Sequence, residues 1–500
     1  MLSEEQNRLI TQTGRGTPCG ALMRRYWQPA ALVEELASPR PVKRVRLLGE
    51  DLVLFRDDNG RYGLLGRHCA HRGADLAFAR YEDGGLRCPF HGWLYDAGGA
   101  CLEQPTEPAG STFHRKVRQP AYRCEEHSGI VWAYMGPGDP PPFPSFDCFV
   151  APDSHSFAFK GLWSCNWLQA LEVGIDPAHA SHLHRFFEDE DVSDAAAYGR
   201  QFRAATIGAD IPMTRLMREV PNPRLEFEET AYGLRITTLR PINPSVTHLR
   251  ITNMLFPHAF VIPLSREMSI TQWHVPVDDT HCYWYAVFTS FAAPVDKATM
   301  RAQRLASCTL PDYAPRAGRD NDWGYDADEQ RTATYTGMGM DINVHDQWAV
   351  ESMGAIQDRT QEHLGTSDRS IIAARRLFFR AIDEVAAGRD PPLTRGADAV
   401  HGPATIDAVG PADDLERYWR QQEIARRRAT PWLAQANDDA VLGVPPLETA
   451  NLANPHPASP SLATPSLATA GLATPSLANP NLATPGLAAS HLATPNLETT

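Results

Sequence analysis

Hydrophobic and polar residues alternate with different periods in successive stretches of the chain. Between residues 41 and 137 the apolar positions alternate in short runs, such as Val42–Leu48 and Asp51–Phe55, which predict β-strands. Asp57–Gly60 predicts a hairpin turn, and Gly129–Met135 predicts a buried strand. This stretch is therefore predicted to form a small antiparallel β domain.

The regions on either side of this domain follow other patterns. Residues 1–40 predict a helical N-terminal arm, and the proline-rich residues 136–144 predict a stiff connector at a domain boundary. Residues 150–435 mix strand-like and helix-like patterns and predict a second, larger domain. Its predicted strands are Leu225–Glu228, Leu234–Leu239, His248–Asn253 and Tyr283–Thr289, and its predicted helices are Gln347–His363, Ser370–Gly388 and Asp414–Arg428.

The last stretch, residues 446–500, repeats leucine at a spacing of five residues within units such as Ser-Leu-Ala-Thr-Pro. This period is typical of a pentapeptide β-helix. Proline, however, often stands two positions before the leucine, where such a coil needs a small buried residue and a backbone donor. We therefore predict a disordered, low-complexity tail.

Composition narrows the functional class. The 500 residues suffice for two or three domains, and the formal charge of −13 argues against nucleic-acid binding. The nine cysteines are odd in number and irregularly spaced, which argues against a secreted disulfide framework. The N-terminus lacks the apolar stretch of a signal peptide, and no apolar run is long enough to span a membrane. These features predict a reducing, cytoplasmic location.

Two short motifs carry the strongest chemical signal. Cys69 and His71 form a C-x-H motif, and Cys88 and His91 form a C-x-x-H motif after sixteen intervening residues. Two thiolates on one iron and two imidazoles on the other raise the reduction potential of a [2Fe–2S] cluster. Structural zinc sites more often pair C-x-x-C with H-x-x-x-H, which makes zinc the weaker alternative. Both motifs, with the glycine that follows each, resemble the Rieske signature.

On its spacing alone, the segment Asn166–His184 fits a helix with several surface histidines as well as it fits a metal site. The Rieske-like motifs favour a second metal site, because a one-electron carrier needs an acceptor. A non-haem iron that reacts with O₂ takes two imidazoles and one carboxylate and keeps other positions open. His179 and His184 are five residues apart, so on an ideal helix they would point roughly 140° away from each other. They can share an ion only if the helix is distorted or ends between them. His182 is three residues from His179 and is the easier geometric partner, so spacing leaves the choice open.

Over residues 1–435 the chain resembles the oxygenase (alpha) subunits of Rieske non-haem iron aromatic-ring hydroxylating oxygenases, in the phthalate 4,5-dioxygenase-like group. Besides the Rieske motifs, the resemblance rests on Gly16–Gly20, Arg24–Pro29, the Asp-x-x-His-x-x-x-x-His pattern of residues 176–184, and Asp346–Ser352 followed by Asp358-Arg359. It implies an α+β fold, in which a small antiparallel β Rieske domain precedes a larger helix-grip-like catalytic domain with an antiparallel sheet.

The resemblance also implies the ligands of both metal centres. It assigns the [2Fe–2S] cluster to the two Rieske motifs and a mononuclear Fe²⁺ to His179, His184 and Asp346. Three other carboxylates compete for the position of Asp346, namely Asp341, Glu351 and Asp358. Asp346 is expected to open a helix and to point inward from it.

Asp176 is predicted to link the two centres. It lies three residues before His179, which puts both on one helical face, where the carboxylate can hold a hydrogen bond to an iron-bound imidazole. The resemblance implies that this aspartate bridges to a Rieske histidine of a neighbouring subunit, and hence a homo-oligomer, a trimer or hexamer. The plainer interpretation is that Asp176 only caps the turn before Pro177.

The implied reaction is hydroxylation of an aromatic substrate with O₂. No nucleotide-binding G-x-G-x-x-G opens a helix, so a separate NAD(P)H-dependent reductase of flavin or ferredoxin type is expected to supply electrons. Arg224, Arg240 and Arg250 lie in or beside predicted strands and are candidates to bind a substrate carboxylate, although each can equally line a solvated sheet edge. The alternatives are an O-demethylase of the same family and a Rieske electron carrier with an iron-free binding domain.

Overall fold

The structure, a computed structural model, describes residues 1–189, 207–209, 211–394 and 402–433. The predicted low-complexity tail, residues 446–500, lies outside the described residues. Within the described ranges, no helix combines the length and the apolar composition needed to cross a membrane.

The first β domain contains ten strands. They are β1 Trp27–Leu32, β2 Val42–Leu47, β3 Glu50–Arg56, β4 Tyr62–Gly66, β5 Arg80–Glu82, β6 Gly85–Arg87, β7 Leu94–Tyr95, β8 Cys101–Glu103, β9 Ala121–His127 and β10 Ile130–Tyr134. Six of them form an antiparallel sheet in the order β1-β10-β9-β4-β3-β2, and the other four form the sheet β5-β6-β7-β8. The predicted strands at residues 42–48, 51–55 and 129–135 are confirmed as β2, β3 and β10.

Strand β3 is buried on both faces. Its side chains pack into the core of the small β5-β6-β7-β8 sheet on one face and into the main core on the other. Val53 and Phe55 belong to the core that also contains Tyr95 of β7. Leu52 and Leu54, on the opposite face, belong to the main core of the molecule. Because side chains alternate along a strand, one continuous apolar run serves both cores.

The N-terminal arm is only partly helical, which corrects the expectation for residues 1–40. Helices α1 (Glu4–Thr11) and α2 (Pro18–Met23) are present, but β1 follows them as a strand. All six residues of β1 are buried, and the strand pairs with β10. Ladder hydrogen bonds to β10 satisfy its backbone in this buried position, where sequence periodicity alone gives no strand signal.

The second domain is built on a larger antiparallel sheet. Its strands are β11 Ser156–Trp163, β12 Arg224–Thr230, β13 Gly233–Asn243, β14 Val246–Leu255, β15 Ala259–Pro263, β16 Met268–Pro276 and β17 Cys282–Ser290, with β18 Cys308–Thr309 and β19 Ala314–Pro315 as a separate hairpin and β20 Ile406–Pro411. The order is β11-β17-β16-β15-β14-β13-β12, and β20 pairs with β14 beside the segment that β15 leaves free. The four predicted strands are confirmed as β12, β13, β14 and β17.

Eight further helices follow α2 in the described residues. They are α3 Asp147–Val150, α4 Trp167–Gly174, α5 Met213–Glu219, α6 Lys297–Ala306, α7 Ala327–Thr332, α8 Ile342–Ser352, α9 Arg369–Ala386 and α10 Leu415–Ala429. The helices predicted at residues 370–388 and 414–428 are confirmed as α9 and α10. The helix predicted over 347–363 is wrong in its bounds, because α8 begins after its cap, Asp341, and ends before Gly354, which has a φ of +95°.

The two faces of the large sheet are covered by different helices. On one face, Leu239 packs with Trp419 of α10 in a separate small core. On the other face, Leu234 belongs to the main core together with Phe378 of α9. Residues 1–446 form one compact unit, and the candidate sites described next lie within it.

Candidate metal centres

The four residues of the Rieske-like motifs come together in pairs. The ring centroids of His71 and His91 lie 4.4 Å apart, and Trp93 stacks on His71 at 4.3 Å. Cys69 and Cys88 are buried; burial raises the pKa of the Cys88 thiol, and the neighbouring Cys69 thiol raises it further. His91 Nδ1 is buried and has no hydrogen-bond partner among the described residues. Two neighbouring thiols and two neighbouring imidazoles are the donors that a Rieske cluster requires.

The glycine after each motif closes its loop. Gly73 N donates to Cys69 O at 2.8 Å, and Gly92 N donates to Cys88 O at 2.9 Å. The φ angles of the two glycines are +77° and +73°, in a region that residues with a Cβ rarely adopt. Each loop thus turns sharply enough to present its cysteine and histidine side by side.

Two residues that the sequence did not single out hold these loops. The Tyr95 hydroxyl lies 3.2 Å from Cys69 Sγ and can donate a hydrogen bond to a thiolate there. Gln119 accepts from Ala70 N at 2.8 Å and donates to His68 O at 2.7 Å. Both contacts join residues more than twenty positions apart, so no local pattern marks them.

The histidine pair of the second site lies where the α-helix has ended. Helix α4 begins after its cap, Asn166, and ends at Gly174, before Pro177, and residues His179–Ser181 form one 3₁₀ turn. The sequence required the helix to be distorted or to end between the two histidines; the α-helix ends earlier, before both of them. His179 Nε2 and His184 Nε2 lie 3.2 Å apart.

Asp346 of α8 completes this group. Its Oδ1 lies 3.2 Å from His184 Nε2 and 3.7 Å from His179 Nε2. Ligand atoms of the three residues all lie within 4.8 Å of one another, and no other group of three meets this criterion among the described residues. Asp346 lies inside α8 rather than at its start, since the helix begins four residues earlier at Ile342.

The protonation states of this group suit a divalent metal. Burial lowers the pKa of His179, and the neighbouring His184 lowers it further, which favours the neutral imidazole that binds metals. Burial raises the pKa of Asp346, but the two histidines outweigh burial and hold it below its ordinary value. Asp346 Oδ1 is buried and accepts no hydrogen bond of good geometry. Two imidazoles and a carboxylate with a buried, unpartnered oxygen fit a mononuclear Fe²⁺.

The competing carboxylates have other partners. Asp341 accepts from Asn343 N at 3.0 Å as the cap of α8. Glu351 accepts from Trp323 Nε1 at 2.9 Å and also from the backbone nitrogen of residue 164. Asp358 is exposed and accepts a hydrogen bond from the backbone nitrogen two residues later, at position 360. None of the three belongs to the group around His179 and His184.

His182, the easier partner on spacing alone, lies away from the group. It is exposed, and its ring centroid is 5.7 Å from that of Tyr335. Because residues 179–181 form a 3₁₀ turn and not an α-helix, the spacing rule of the α-helix does not predict which histidines lie on the same side.

Asp176 lies beside the histidine pair but not on a helix, which corrects the expectation of a shared helical face. Its Oδ1 accepts from Ala178 N at 2.8 Å, so the carboxylate does cap the turn that contains Pro177. Its Oδ2 lies 4.0 Å from His179 Nδ1, and its backbone carbonyl oxygen is in hydrogen-bond contact with the same nitrogen. Capping the turn leaves the second carboxylate oxygen available.

The three candidate arginines have different surroundings. Arg224 is exposed and pairs with Glu226 at 2.9 Å, as expected of a solvated sheet edge. Arg250 pairs with the buried Asp407 at 2.9 Å. Arg240 is fully buried, and none of its three guanidinium nitrogens has a hydrogen-bond partner among the described residues. The structure thus separates three residues that the sequence treats alike.

Two family profiles match the chain. The Rieske [2Fe-2S] domain matches residues 26–120, and the family described as LigXa C-terminal domain like matches residues 133–440. Together they cover the two domains that carry the sites described above.

Three characterised relatives match most of the chain. The phthalate 4,5-dioxygenase oxygenase subunit of Pseudomonas putida is 36% identical over 412 residues, which cover 78% of this chain and 88% of the relative. The 5,5'-dehydrodivanillate O-demethylase oxygenase subunit of Sphingobium sp. is 33% identical, covering 78% of this chain and 83% of the relative. The 3-chlorobenzoate-3,4-dioxygenase oxygenase subunit of Comamonas testosteroni is 31% identical, covering 84% and 99%.

The chain therefore belongs to the Rieske non-haem iron oxygenases. Within this family it falls among the oxygenase (alpha) subunits of the phthalate 4,5-dioxygenase-like group. It is an oxidoreductase that incorporates oxygen from O₂, with a Rieske [2Fe–2S] cluster and a mononuclear iron as its cofactors. The predicted family, α+β fold class and iron cofactors are thereby confirmed.

Proposed function

We propose that this chain is the terminal oxygenase component of a multicomponent enzyme, which hydroxylates a carboxylated aromatic substrate with O₂. The observation that carries the proposal is the convergence of His179, His184 and Asp346 within 4.8 Å in a chain that also has a Rieske domain. An electron carrier and an iron site with open positions are the two parts that such a reaction needs.

The proposed ligands divide between two domains, residues 41–137 and residues 150–435. The cluster is held by Cys69, His71, Cys88 and His91, and the ferrous ion by His179, His184 and Asp346. When bound, the cluster supplies single electrons and the ferrous ion supplies the activation of O₂. With the cluster bound, the Tyr95 hydroxyl, which lies 3.2 Å from Cys69 Sγ, would donate a hydrogen bond to the Cys69 thiolate and stabilise its negative charge.

Asp176 is proposed to connect the two centres between subunits. Its Oδ1 is engaged by the turn, whereas Oδ2 faces His179 Nδ1, and the side chain is 20% exposed. The backbone carbonyl of Asp176 already holds His179 Nδ1, so Oδ2 is available to meet a Rieske histidine, His71 or His91, of another copy of the chain. This pairing requires a homo-oligomer, for which we expect a closed trimer or hexamer.

Electrons are proposed to come from a separate NAD(P)H-dependent reductase of flavin or ferredoxin type. The sequence has no nucleotide-binding fingerprint of its own. The relatives described above are themselves named as oxygenase subunits, which supports a division of labour between polypeptides.

A second candidate reaction is aromatic O-demethylation. It is favoured by the 33% identity to the 5,5'-dehydrodivanillate O-demethylase oxygenase subunit. The same residues serve both reactions, because the difference is whether a ring carbon or a methoxy carbon lies next to the iron. The non-catalytic electron carrier is disfavoured, since it gives no reason for three potential iron ligands to converge.

Metal content and single-turnover chemistry test the proposal. The purified chain should hold three irons, two in a cluster with a Rieske spectrum and one mononuclear. Anaerobic reduction with a surrogate reductase, followed by O₂ and a panel of benzoates, phthalates and methoxybenzoates, should give oxygenated products detectable by mass. A hydroxylated ring supports the first reaction and a demethylated product the second. Two irons per chain, or no oxygenated product from fully loaded protein, contradicts both.

A further inference from the structure

Lys160 is a buried cation at the boundary between the two domains. It lies in β11 of the catalytic domain, its side chain is 1% exposed, and its Nζ lies 2.6 Å from Glu35 Oε1. Glu35 belongs to the 3₁₀ turn Val33–Leu36, which connects β1 and β2 of the Rieske domain. The ion pair therefore ties the Rieske domain to the catalytic domain.

Three tyrosine rings surround the ammonium group. Lys160 Nζ lies 4.5 Å from the ring centroid of Tyr283, 4.9 Å from that of Tyr313 and 5.4 Å from that of Tyr285. All three tyrosines lie in the catalytic domain, and a cation within about 6 Å of a ring centroid is attracted to the ring face. This tyrosine cage restricts where Lys160 can place its charge.

The carboxylate next to Glu35 is also bound by the catalytic domain. Glu34 accepts from the Tyr313 hydroxyl at 3.1 Å and pairs with Arg301 of α6. Because Tyr313 contacts both Lys160 and Glu34, one connected group of side chains holds both carboxylates of the turn. Two adjacent ionic contacts fix the direction of the turn as well as its distance from β11.

The apolar contacts across the boundary are less directional. Trp132 of β10 packs edge-on against Trp273 of β16, with ring centroids 5.0 Å apart, and both belong to a main core that the two domains share. Burial of apolar surface is non-directional, so it selects an angle between the domains less sharply than an ion pair does. Directional contacts must supply the angle; besides the ion pair, one is the hydrogen bond from Leu48 N to Pro276 O at 2.9 Å.

The charge of Lys160 is not required to neutralise Glu35. Lys43 Nζ lies 2.7 Å from Glu35 Oε2, and Leu32 N donates to Glu35 Oε1 at 2.8 Å. The two lysines outweigh burial and hold the pKa of Glu35 below its ordinary value. Burial lowers the pKa of Lys160 to about 8 although Glu35 opposes the decrease, so the ammonium group is less stable here than in water. A buried charge that adds little stability can instead select one arrangement of the chain.

We infer that Lys160 is a positioning residue, which sets the orientation of the Rieske domain on the catalytic domain and with it the rate of electron transfer between the two metal centres. The inference rests on the proposed function, in which the cluster of one subunit is oxidised by one electron and the mononuclear iron of the next is reduced from Fe³⁺ to Fe²⁺. Misplacement of reacting groups by about 1 Å can slow a reaction about 100-fold.

Flash photoreduction tests this role without a substrate. The full chain is loaded with both metal centres in their oxidised states, and a limiting amount of photoreduced flavin supplies the electron. The visible absorbance of the cluster should fall and then recover as the electron passes to the mononuclear iron. Lys160→Met removes the ammonium group and should slow the recovery by about tenfold or more.

The two ways in which this experiment can fail are distinct. Recovery at equal rates in Lys160→Met and the unaltered protein would overturn the role of Lys160 and leave the proposed function standing. Absence of any recovery in the unaltered protein would reject the proposed electron route, and the inference with it.

Lys43→Met is the matched control. Lys43 pairs with the same carboxylate, but from β2 of the Rieske domain, so its replacement removes a charge of the same network and a contact that lies within one domain. The cluster absorbance should recover at the unaltered rate. Equal slowing in Lys43→Met and Lys160→Met would contradict the role of the contact between domains.

Hydrogen exchange measures the orientation directly. The Leu48 and Gly49 amides donate to Pro276 O and Val277 O of the catalytic domain, both at 2.9 Å, so their protection reports how closely the Rieske domain is held. Lys160→Met should raise the exchange rates of these two amides by about tenfold or more. Slower electron transfer with unchanged exchange would overturn the inference.

Thermal stability separates a positioning role from a merely structural one. Lys43 still pairs with Glu35 in Lys160→Met, so Tm should stay within about 2 °C of that of the unaltered protein or rise. A fall in Tm of more than about 5 °C, or an insoluble variant, would show that Lys160 maintains the fold and would overturn the inference.

Discussion

At the scale of single residues, the surroundings of each carboxylate decide its role. Asp341, Asp346 and Glu351 lie on or next to one helix within eleven residues, but two of them are used by hydrogen bonds that hold the helix and its neighbours. Asp346 alone of these three has its oxygen beside two imidazoles. Residue type and position along the helix are nearly equivalent, so only spatial neighbours distinguish a ligand from a cap.

Replacing Asp346 should remove the mononuclear iron and spare the cluster. Asp346→Asn deletes the negative charge that a ferrous ion requires, so iron content should fall from three to two per chain with an unchanged Rieske spectrum. Asp341→Asn is the matched control, because asparagine caps a helix as well as aspartate does. Retention of the third iron in Asp346→Asn, or its loss in Asp341→Asn, would contradict the ligand assignment.

Asp176→Asn should uncouple the two centres without removing either. The amide oxygen can still accept from Ala178 N, so the turn is retained, but the charge that stabilises a hydrogen-bonded imidazole is lost. We expect turnover to fall by about 10–100-fold, with both metals present by iron analysis. Turnover near that of the unaltered protein would show that Asp176 serves as a cap only.

At the scale of elements, α4 and α8 are joined by a buried glutamine that fixes the distance between the two parts of the iron site. Gln169 of α4 donates to Val350 O and to Gly354 O, both at 2.8 Å, at the end of α8. It also accepts from Gln357 N at 2.8 Å. One side chain thus pairs three backbone groups.

Gln169→Leu should loosen the iron site while leaving the cluster intact. Each backbone group left unpaired costs about 1–3 kcal/mol, so Tm should fall. The affinity for mononuclear iron should fall by about tenfold or more, measured by competition with a chelator, because Asp346 is no longer held against the histidines. Gln361→Leu, at an exposed position, is the control and should change neither quantity. A selective loss of cluster absorbance would argue against this account.

At the scale of the whole molecule, buried ion pairs connect distant segments around the catalytic core. Glu172 of α4 accepts from Arg359 at 2.8 Å and from Arg375 of α9 at 2.6 Å, and Arg359 also reaches Asn7 of α1 at 3.2 Å. Burial raises the pKa of Glu172, but the two arginines outweigh burial and hold it below its ordinary value. A carboxylate whose pKa is lower in the folded than in the unfolded chain stabilises the fold at pH values above its unfolded pKa. This contribution is lost as the pH falls through the pKa of the folded state.

Glu172→Gln should therefore lower stability in a pH-dependent way. Near neutral pH the variant leaves two buried arginines with one partner fewer, which we expect to cost about 3–5 kcal/mol. The difference in Tm from the unaltered protein should narrow as the pH falls below about 4, where Glu172 becomes protonated in the unfolded chain. Glu5→Gln, at an exposed position of α1, is the control. A difference in Tm that stays constant down to acid pH would show that the charge of Glu172 contributes nothing.

The sequence alone determined the chemistry of the two centres and the main strands. Ligand identity depends on residue type, and the Rieske motifs and alternating strands are local patterns, readable within a few residues. Tertiary structure decided which carboxylate meets the histidines, because Asp346 and His184 are brought together by the packing of α4 against α8. It also decided which arginine is paired, since the contact of Arg250 with Asp407 spans more than 150 residues. Burial and long-range pairing depend on the folded chain as a whole, so no local pattern encodes them.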